Sequence, residues 1–311
     1  MQQQDVLITG GAGFIGSRVV RELSNTSANI TAVDTCFTGN QTLIPETVRF
    51  EQIDIRDEAF NDLISDINPD AIIHLAALHY IPYCNEYPEE AFEVNVMGTR
   101  NLLSAARELS TLETMIFASS AAVYPPREEP NSETSDTGPT DIYGQTKLIG
   151  EDLMELFAAQ TDTTTAVGRL FNVYGPNETN EHLIPAILQQ VRAGKREIDL
   201  GNLTPKRDFI HVSDATTALM TLLKHADDGY NTYNIGTGNE YSVREVVEKT
   251  SNALGEEITI RQDDERVRES DRPHLQADIS RMRSTFGWEP RVEFVEGLSE
   301  LLQQDDEVLV T

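Results

Sequence analysis

The chain has 311 residues, 39% of them hydrophobic, which is enough for a buried core and excludes a disordered chain. Asp and Glu number 52 against 24 Lys and Arg, for a net charge of −28. So acidic a surface repels phosphate backbones and anionic lipid, which argues against nucleic-acid and membrane partners.

Residues 6–9 form an apolar run that predicts a strand. It leads into Gly10-Gly11-Ala12-Gly13-Phe14-Ile15-Gly16 and then a helical pattern through Val19, Val20 and Leu23. Further strands are expected at 30–33, ending in Asp34, and at 48–53, ending in Asp54. Others follow at 71–75, ending in Ala76-Ala77, at 114–118, ending in Ser119-Ser120, and at 165–170. Helical patterns fall between them at 60–67, at 91–109 as one long helix, and at 142–160. This alternation argues an α/β fold with a doubly wound parallel sheet covered on both faces. After Gly175-Pro176 the pattern loosens. A helix is expected at 182–193, a short strand at 197–200, and a strand at 209–212 leading into a helix at 214–225. A strand at 233–235 closes on Gly236-Thr237-Gly238. Ser242 and Glu245 form a capping box that opens a helix to 254. A strand near 257–261, a charged segment with Arg268, Asp271 and Arg272, and an amphipathic piece at 279–286 complete the order. The acidic tail at 305–307 reads as a solvated end. No linker separates the halves, so two intertwined domains are expected: 1–171 with 213–235, and 172–212 with 236–311.

The basic residues are skewed, with five lysines (147, 195, 206, 224 and 249) and nineteen arginines. Few lysines among many carboxylates resemble proteins of a salt-rich, halophilic cytoplasm, where counterions screen self-repulsion. Cys36 and Cys84 cannot build a disulfide framework, and with six histidines they show no ligand spacing, so no metal is expected. The N-terminus lacks the basic region and cleavage site of a signal peptide, and the uncharged run at 71–85 is too short for a membrane span. A cytoplasmic protein is expected.

Gly10, Gly13 and Gly16 follow a strand and open a helix. Glycines there let backbone approach a pyrophosphate whose charge sits on the helix N-terminus. The spacing is G-x-x-G-x-x-G rather than G-x-G-x-x-G, and a plain tight turn is the alternative. Asp34 ends the next strand, where a carboxylate takes the adenosine ribose hydroxyls; neither Thr35 nor Cys36 is an arginine that would welcome a 2′-phosphate. The reading is NAD. Tyr143 and Lys147 stand at i,i+4 on one helix face. A buried phenol beside an ammonium has a lowered pKa and serves as a general base. Ser120 could share that proton, or simply cap its strand.

Together these stretches resemble the extended short-chain dehydrogenases/reductases, in the nucleotide-sugar branch typified by UDP-glucose 4-epimerase. The matching stretches span the whole chain in order: 9–16 (TGGAGFIG), 54–56 (DIR), 74–77 (HLAA), Asn95, 119–124 (SSAAVY), Tyr143-Gly144 with Lys147, 169–176 (RLFNVYGP), 207–214 (RDFIHVSD) and 286–290 (FGWEP). The resemblance implies a Rossmann-type NAD-binding domain and a smaller α/β domain for the nucleotide sugar. It makes Tyr143 the catalytic base, Lys147 its partner and the holder of the nicotinamide ribose, and Ser120 the hydroxyl relay. Gly10, Gly13, Phe14, Ile15 and Gly16 would hold phosphate, and Asp54 and Ile55 adenine. Leu75, Ala76, Ala77, Asn95 and Ser119 would line the cofactor. Asn172, His182, Leu183, Leu200 and Arg207 match substrate positions, as do Arg268 for a phosphate, with Arg272 as rival, and Asp271 for a ribose.

The chain also departs from the family. Pro125-Pro126 stands where Gly is usual, and His182 where the epimerases often carry Asn, which makes a phosphate donor pH-dependent. The aromatic loop 79–84 is expected to border the sugar. Related 4,6-dehydratases keep Asp-Glu just after the strand-end hydroxyl, and decarboxylases a Glu; here Ala121 and Ala122 have no proton to give. The implied reaction is therefore 4-epimerisation of a nucleotide sugar through transient C4 oxidation. The sugar is UDP-glucose or UDP-galactose, a 2-acetamido sugar or a uronate. Another oxidoreductase, dehydratase or decarboxylase of the family is the alternative, and a non-catalytic dinucleotide-binding regulator the reading from another class. The family implies a homodimer through the helices at 91–109 and 142–160.

Overall fold

The computed structural model describes residues 4–263 and 272–303. Strand and helix alternate as expected through the first half: β1 (Asp5–Thr9), α1 (Phe14–Ser24), β2 (Asn29–Asp34), β3 (Arg49–Gln52), α2 (Glu58–Ile67) and β4 (Ala71–His74). There follow α3 (Ile81–Glu86), α4 (Pro88–Phe92), α5 (Thr99–Ala106), β5 (Thr114–Ser120), α6 (Ile142–Ala158) and β6 (Thr164–Leu170). The second half holds β7 (Asn172–Tyr174), α7 (Leu183–Arg192), β8 (Glu197–Leu200), β9 (Lys206–His211), α8 (Val212–His225) and β10 (Tyr230–Ile235). It ends with β11 (Glu240–Ser242), α9 (Val243–Leu254), β12 (Thr259–Gln262), α10 (Ser280–Phe286) and α11 (Phe294–Gln303). No helix among the described residues is long and apolar enough to cross a membrane.

Two expectations are corrected. The long helix at 91–109 is α4 and α5 joined by a π-helical stretch, Glu93–Gly98. Such a stretch inserts extra backbone into a helical run and re-aims its side chains, which hydrophobic spacing does not reveal. The loop expected at 79–84 is mostly α3, with Pro82 in its first turn, where a missing N–H costs nothing. The three-residue strands β7 and β11 are too short to carry a periodic signal.

Seven strands form one sheet in the order β10-β6-β5-β4-β1-β2-β3, and the pairings from β6 through β3 are parallel. The order reverses at β1, which lies between β2 and β4. In such sheets ligands bind beyond the strand C-termini at that reversal. The core under it includes Leu7, Phe60, Ile64, Ile72, Leu102, Met115 and Phe157, each fully buried. Burying each such side chain stabilises the fold by about 2 kcal/mol.

The chain divides into two compact units: 1–125 with 133–170 and 216–233, and 126–132 with 171–215 and 234–311. In the second, β9 is flanked by antiparallel β11 and parallel β7, and β8 pairs with β12 in parallel. Its core gathers Ile187, Leu188, Ile198, Val246 and Leu298. The capping box is present: Glu245 N–H donates to Ser242 Oγ at 3.3 Å, and Ser242 N–H to Glu245 Oε2 at 2.7 Å. Asp208 is wholly buried and accepts from Thr237 N–H (2.8 Å), Thr237 Oγ1 (2.6 Å), Gly238 N–H (2.8 Å) and Ala277 N–H (3.2 Å). That carboxylate pins the turn closing β10.

Candidate active site

In the first unit the glycine turn joins β1 to α1. Gly10 has φ +69°, and a Cβ there would lie 2.7 Å from Ala76 N, so only glycine lets this backbone sit against the end of β4. A Cβ on Gly16 would run into Gly10 O. Gly13 caps α1 without a side chain, and Phe14 and Ile15 open its first turn half-buried. With glycine at the N-cap, no side chain of residue 13 bonds the N–H groups of the first turn, which suits a pyrophosphate. Asp34 ends β2 and accepts from Ala12 N–H at 3.0 Å and Cys36 N–H at 2.8 Å, so it faces the same turn. Burial raises its carboxyl above the usual range, and those N–H donors pull it back. Leu75 N–H donates to Thr9 O (3.0 Å) and Ala76 N–H to Thr9 Oγ1 (3.4 Å), which fixes 75–77 beside β1. These placements fit a dinucleotide.

Other expected cofactor residues are engaged within the protein. Asp54 is chelated by Arg56, through Nε at 3.0 Å and Nη2 at 2.6 Å, which lowers its carboxyl. Ile55 is buried, with its carbonyl accepting from Asn101. The Asn95 amide donates to Leu78 O and Thr146 Oγ1, both at 2.9 Å, and accepts Leu78 N–H at 2.7 Å. Ser119 turns its hydroxyl inward to Glu151 at 2.5 Å, because strand alternation sends Ser119 and Ser120 to opposite faces.

Ser120, Tyr143 and Lys147 do come together. Asp141 caps α6 by accepting Gly144 N–H at 2.8 Å, which places Tyr143 in the first turn. A Cβ on Gly144 would strike Ala122 O, so glycine lets α6 approach the turn that follows Ser120. The Ser120 hydroxyl is hydrogen-bonded to the Tyr143 phenol and accepts Ala122 N–H at 3.1 Å. Ala121 and Ala122 are buried in a 3₁₀ turn (Ala121–Val123). Lys147 is buried, donates to Ala118 O at 2.7 Å, and stands 5.9 Å from the centroid of the Tyr143 ring.

Electrostatics correct one expectation. The phenol is not lowered: burial pushes it above its ordinary range, and only the Ser120 hydrogen bond opposes. Lys147 donates from its ammonium to the Ala118 carbonyl, and burial brings it down to about 8. The nearby His74 and His79 are held neutral by burial, at about 3 and about 4.

In the second unit Asn172 opens β7 with a buried Oδ1 that has no protein partner, as an atom awaiting a ligand donor would. His182 caps α7, and its Nδ1 lies 3.7 Å from Glu178 Oε1. Burial pushes the Glu178 carboxyl up to about 7. Leu183 opens α7 and packs on the core. Leu200 is a core residue whose carbonyl accepts Asp263 N–H at 2.9 Å. Arg207 Nη1 donates to Lys206 O and Arg272 O at 2.8 and 2.7 Å, and so holds the segment beginning at Arg272. Arg268 and Asp271 lie outside the described residues.

Sequence reading did not single out Glu151 or Glu178, and it took Tyr124 only as the end of the matching stretch 119–124. Glu151 carried a signal, being four residues after Lys147 on the same helix face. Glu178 carried none, because its raised carboxyl comes from burial.

The sequence matches the model of the NAD dependent epimerase/dehydratase family over residues 6–236. It is 30% identical to the UDP-glucose 4-epimerase of Lactobacillus helveticus, covering 94% of this chain and 93% of that protein. Among solved structures it resembles MoeE5 in complex with UDP-glucuronic acid and NAD, at 33% identity and TM-score 0.85 over 95% of this chain and 97% of that one. It also resembles the UDP-glucose 4-epimerase of Thermotoga maritima with UDP-glucose, at 26% identity and TM-score 0.89 over 96% and 97%. Kinship along nearly the whole length accords with the strand order and the Tyr143–Lys147 helix, and the chain belongs to the NAD-dependent epimerase/dehydratase family.

Proposed function

We propose that the protein is an NAD-dependent nucleotide-sugar 4-epimerase acting on a UDP-hexose. It oxidises C4, lets the 4-keto sugar turn, and returns hydride to the other face. The observation that carries this reading is the turn after β5. Ser120 and Tyr143 can move a proton on and off a sugar hydroxyl, while Ala121 and Ala122 offer no acid for a departing group. The relatives described above are named for, or hold, UDP-sugars, which supports the nucleotide.

Gly10, Gly13, Phe14, Ile15 and Gly16 would hold the NAD pyrophosphate and Asp34 its adenosine ribose. Residues 54–55 and 75–77 would border the cofactor, and Lys147 would reach the nicotinamide ribose. The chemistry NAD supplies when bound is hydride acceptance and return, with a positive ring in its oxidised form. Tyr143 binds and orients the C4 hydroxyl and exchanges its proton through Ser120. Asn172, His182 and Arg207 are read as diphosphate contacts. In this reading the first unit serves NAD and the second the nucleotide sugar. A homodimer through the α4–α5 and α6 helices belongs to the same reading, and Met97 and Leu156, 41% and 49% exposed there, suit a covered face.

The test is proton NMR of the protein at high potassium chloride with UDP-glucose, UDP-N-acetylglucosamine, UDP-glucuronate and dTDP-glucose, and Tyr143→Phe as control. A new 4-epimer in one tube, absent with the variant, establishes the reading and names the sugar. A C6 methyl doublet from a 4-keto-6-deoxy product would replace it with dehydration.

A further inference from the structure

Adjoining Ser120, Tyr143 and Lys147 is a buried polar cluster that the proposed chemistry does not use. Glu151 accepts from Ser119 Oγ at 2.5 Å and from Arg169 through Nε at 2.9 Å and Nη2 at 2.6 Å. Arg169 Nη1 donates to the Tyr124 hydroxyl at 2.9 Å. The Arg169 and Glu151 side chains are 7% and 3% exposed, and Tyr124 is fully buried. A buried pair is weak evidence for stability, since apolar residues of similar volume often serve as well. Its placement suggests another use. Ser119 precedes Ser120 on β5 and sits in register with Arg169 on β6, while Glu151 follows Lys147 by one turn of α6.

Resting on the reading of Ser120, Tyr143 and Lys147 as the catalytic set, we propose that Glu151 is its positioning residue. Through Ser119 and Arg169 it ties the strand end bearing Ser120 to the helix bearing Tyr143 and Lys147, and it places an anion one turn from the Lys147 ammonium.

The charged and titratable neighbours of the set leave Glu151 a clear electrostatic part. His74 at the end of β4 and His79 after it are neutral, and burial pushes the Cys84 thiol of α3 up to about 11, so it too is neutral. Asp141 at the start of α6 acts on Tyr143, and Glu151 favours the charged form of Lys147. Arg169 partly offsets the Glu151 charge. Removing that anion weakens the hold on the ammonium, so Lys147 titrates at lower pH.

The experiment measures kcat and KM for the UDP-sugar against pH in the wild type, Glu151→Gln, Glu151→Asp and Ser119→Ala. With Glu151→Gln, kcat is expected to fall at least tenfold at pH 8 with KM within about twofold. The limb set by Lys147 should move to lower pH. Glu151→Asp keeps the charge but shortens the reach, so it lowers kcat without moving the limbs. Ser119→Ala breaks only one hydrogen bond, stays folded, and should lower kcat several-fold with unmoved limbs. A Glu151→Gln profile that shrinks without shifting, or full kcat in Ser119→Ala, overturns the proposal. A readout independent of turnover separates it from the functional reading. With lysine Cε labelled by carbon-13, only five signals exist, and Lys147→Arg identifies the one from Lys147. Its midpoint should fall in Glu151→Gln and stay put in Ser119→Ala even if no UDP-sugar is turned over; an unmoved midpoint sinks the electrostatic part.

Discussion

Tyr143 stands at the centre of the proposed chemistry, yet burial holds its phenol protonated and Lys147 aims its ammonium at the Ala118 carbonyl. Its Nζ stands 5.9 Å from the centroid of the Tyr143 ring, so in the proposed chemistry Lys147 supplies positive charge beside the phenol. Its ammonium titrates near 8, so kcat should fall as pH rises through about 8. Lys147→Arg, which does not titrate there, should lose that limb at a kcat at least about tenfold lower. A limb that persists in the variant would assign it to another group. Glu178 makes a second prediction, this time of stability. Its carboxyl is raised from 4.5 to about 7 by burial, so the folded chain holds the proton more firmly than the unfolded one. Its contribution is present at low pH and is lost as pH rises from 4.5 through about 7. Glu178→Gln should shrink the drop in melting temperature between pH 5 and pH 8 at constant salt; an equal drop in both proteins would remove Glu178 as its source.

Elements bring these residues together through close approaches that few side chains allow. The start of α6 meets the turn after β5 because residue 144 has no Cβ to strike Ala122 O or Pro139, whose Cβ would be 2.9 Å away. Gly144→Ala should cost about 1–3 kcal/mol of stability through overpacking. It should lower kcat by more than tenfold, since the collision lies between Ser120 and Tyr143. Denaturation at high potassium chloride and steady-state rates would check both, and a fully active variant would show that the approach can relax. The same scale marks the limit of periodicity. Hydrophobic spacing placed the parallel strands and their helices, and the polar Ser242–Glu245 motif placed a cap, because each is a local pattern. The spacing merged α4, the π-helical stretch and α5 into one helix, since apolar spacing changes little across an extra half turn. That stretch carries Asn95, whose amide ties the segment after β4 to α6.

Across the whole molecule the net charge of −28 opposes compaction. Salt shortens the reach of that repulsion, from about 10 Å at 0.1 M to about 3 Å at 1 M. The melting temperature should therefore rise steadily between 0.1 and 2 M potassium chloride, well beyond the rise seen in proteins of balanced charge. A flat curve would count against adaptation to a salt-rich cytoplasm. Much of the acidity is unmatched at the surface, but inside the first unit charge is balanced locally, as in the Glu151–Arg169 pair.

The succession of strands and helices along the chain, the glycine turn, Asp34 and the Tyr143–Lys147 pair were legible in the sequence, because each depends on spacing within one strand–turn–helix or one helix face; the order of strands across the sheet was not. The kinship with the epimerases was legible for the same reason, as a series of short motifs in order. What the tertiary structure decided was which partners those side chains take within the protein. Ser119, Asn95, Asp54 and Leu200 lie in matching motifs, yet their side chains are taken up by Glu151, Leu78 and Thr146, Arg56 and the core of the second unit. The direction of the Tyr143 shift, the buried Glu151–Arg169 cluster and the Glu178 carboxyl were likewise settled by folding. Burial and partner choice depend on residues distant in the chain, and a local spacing does not record them.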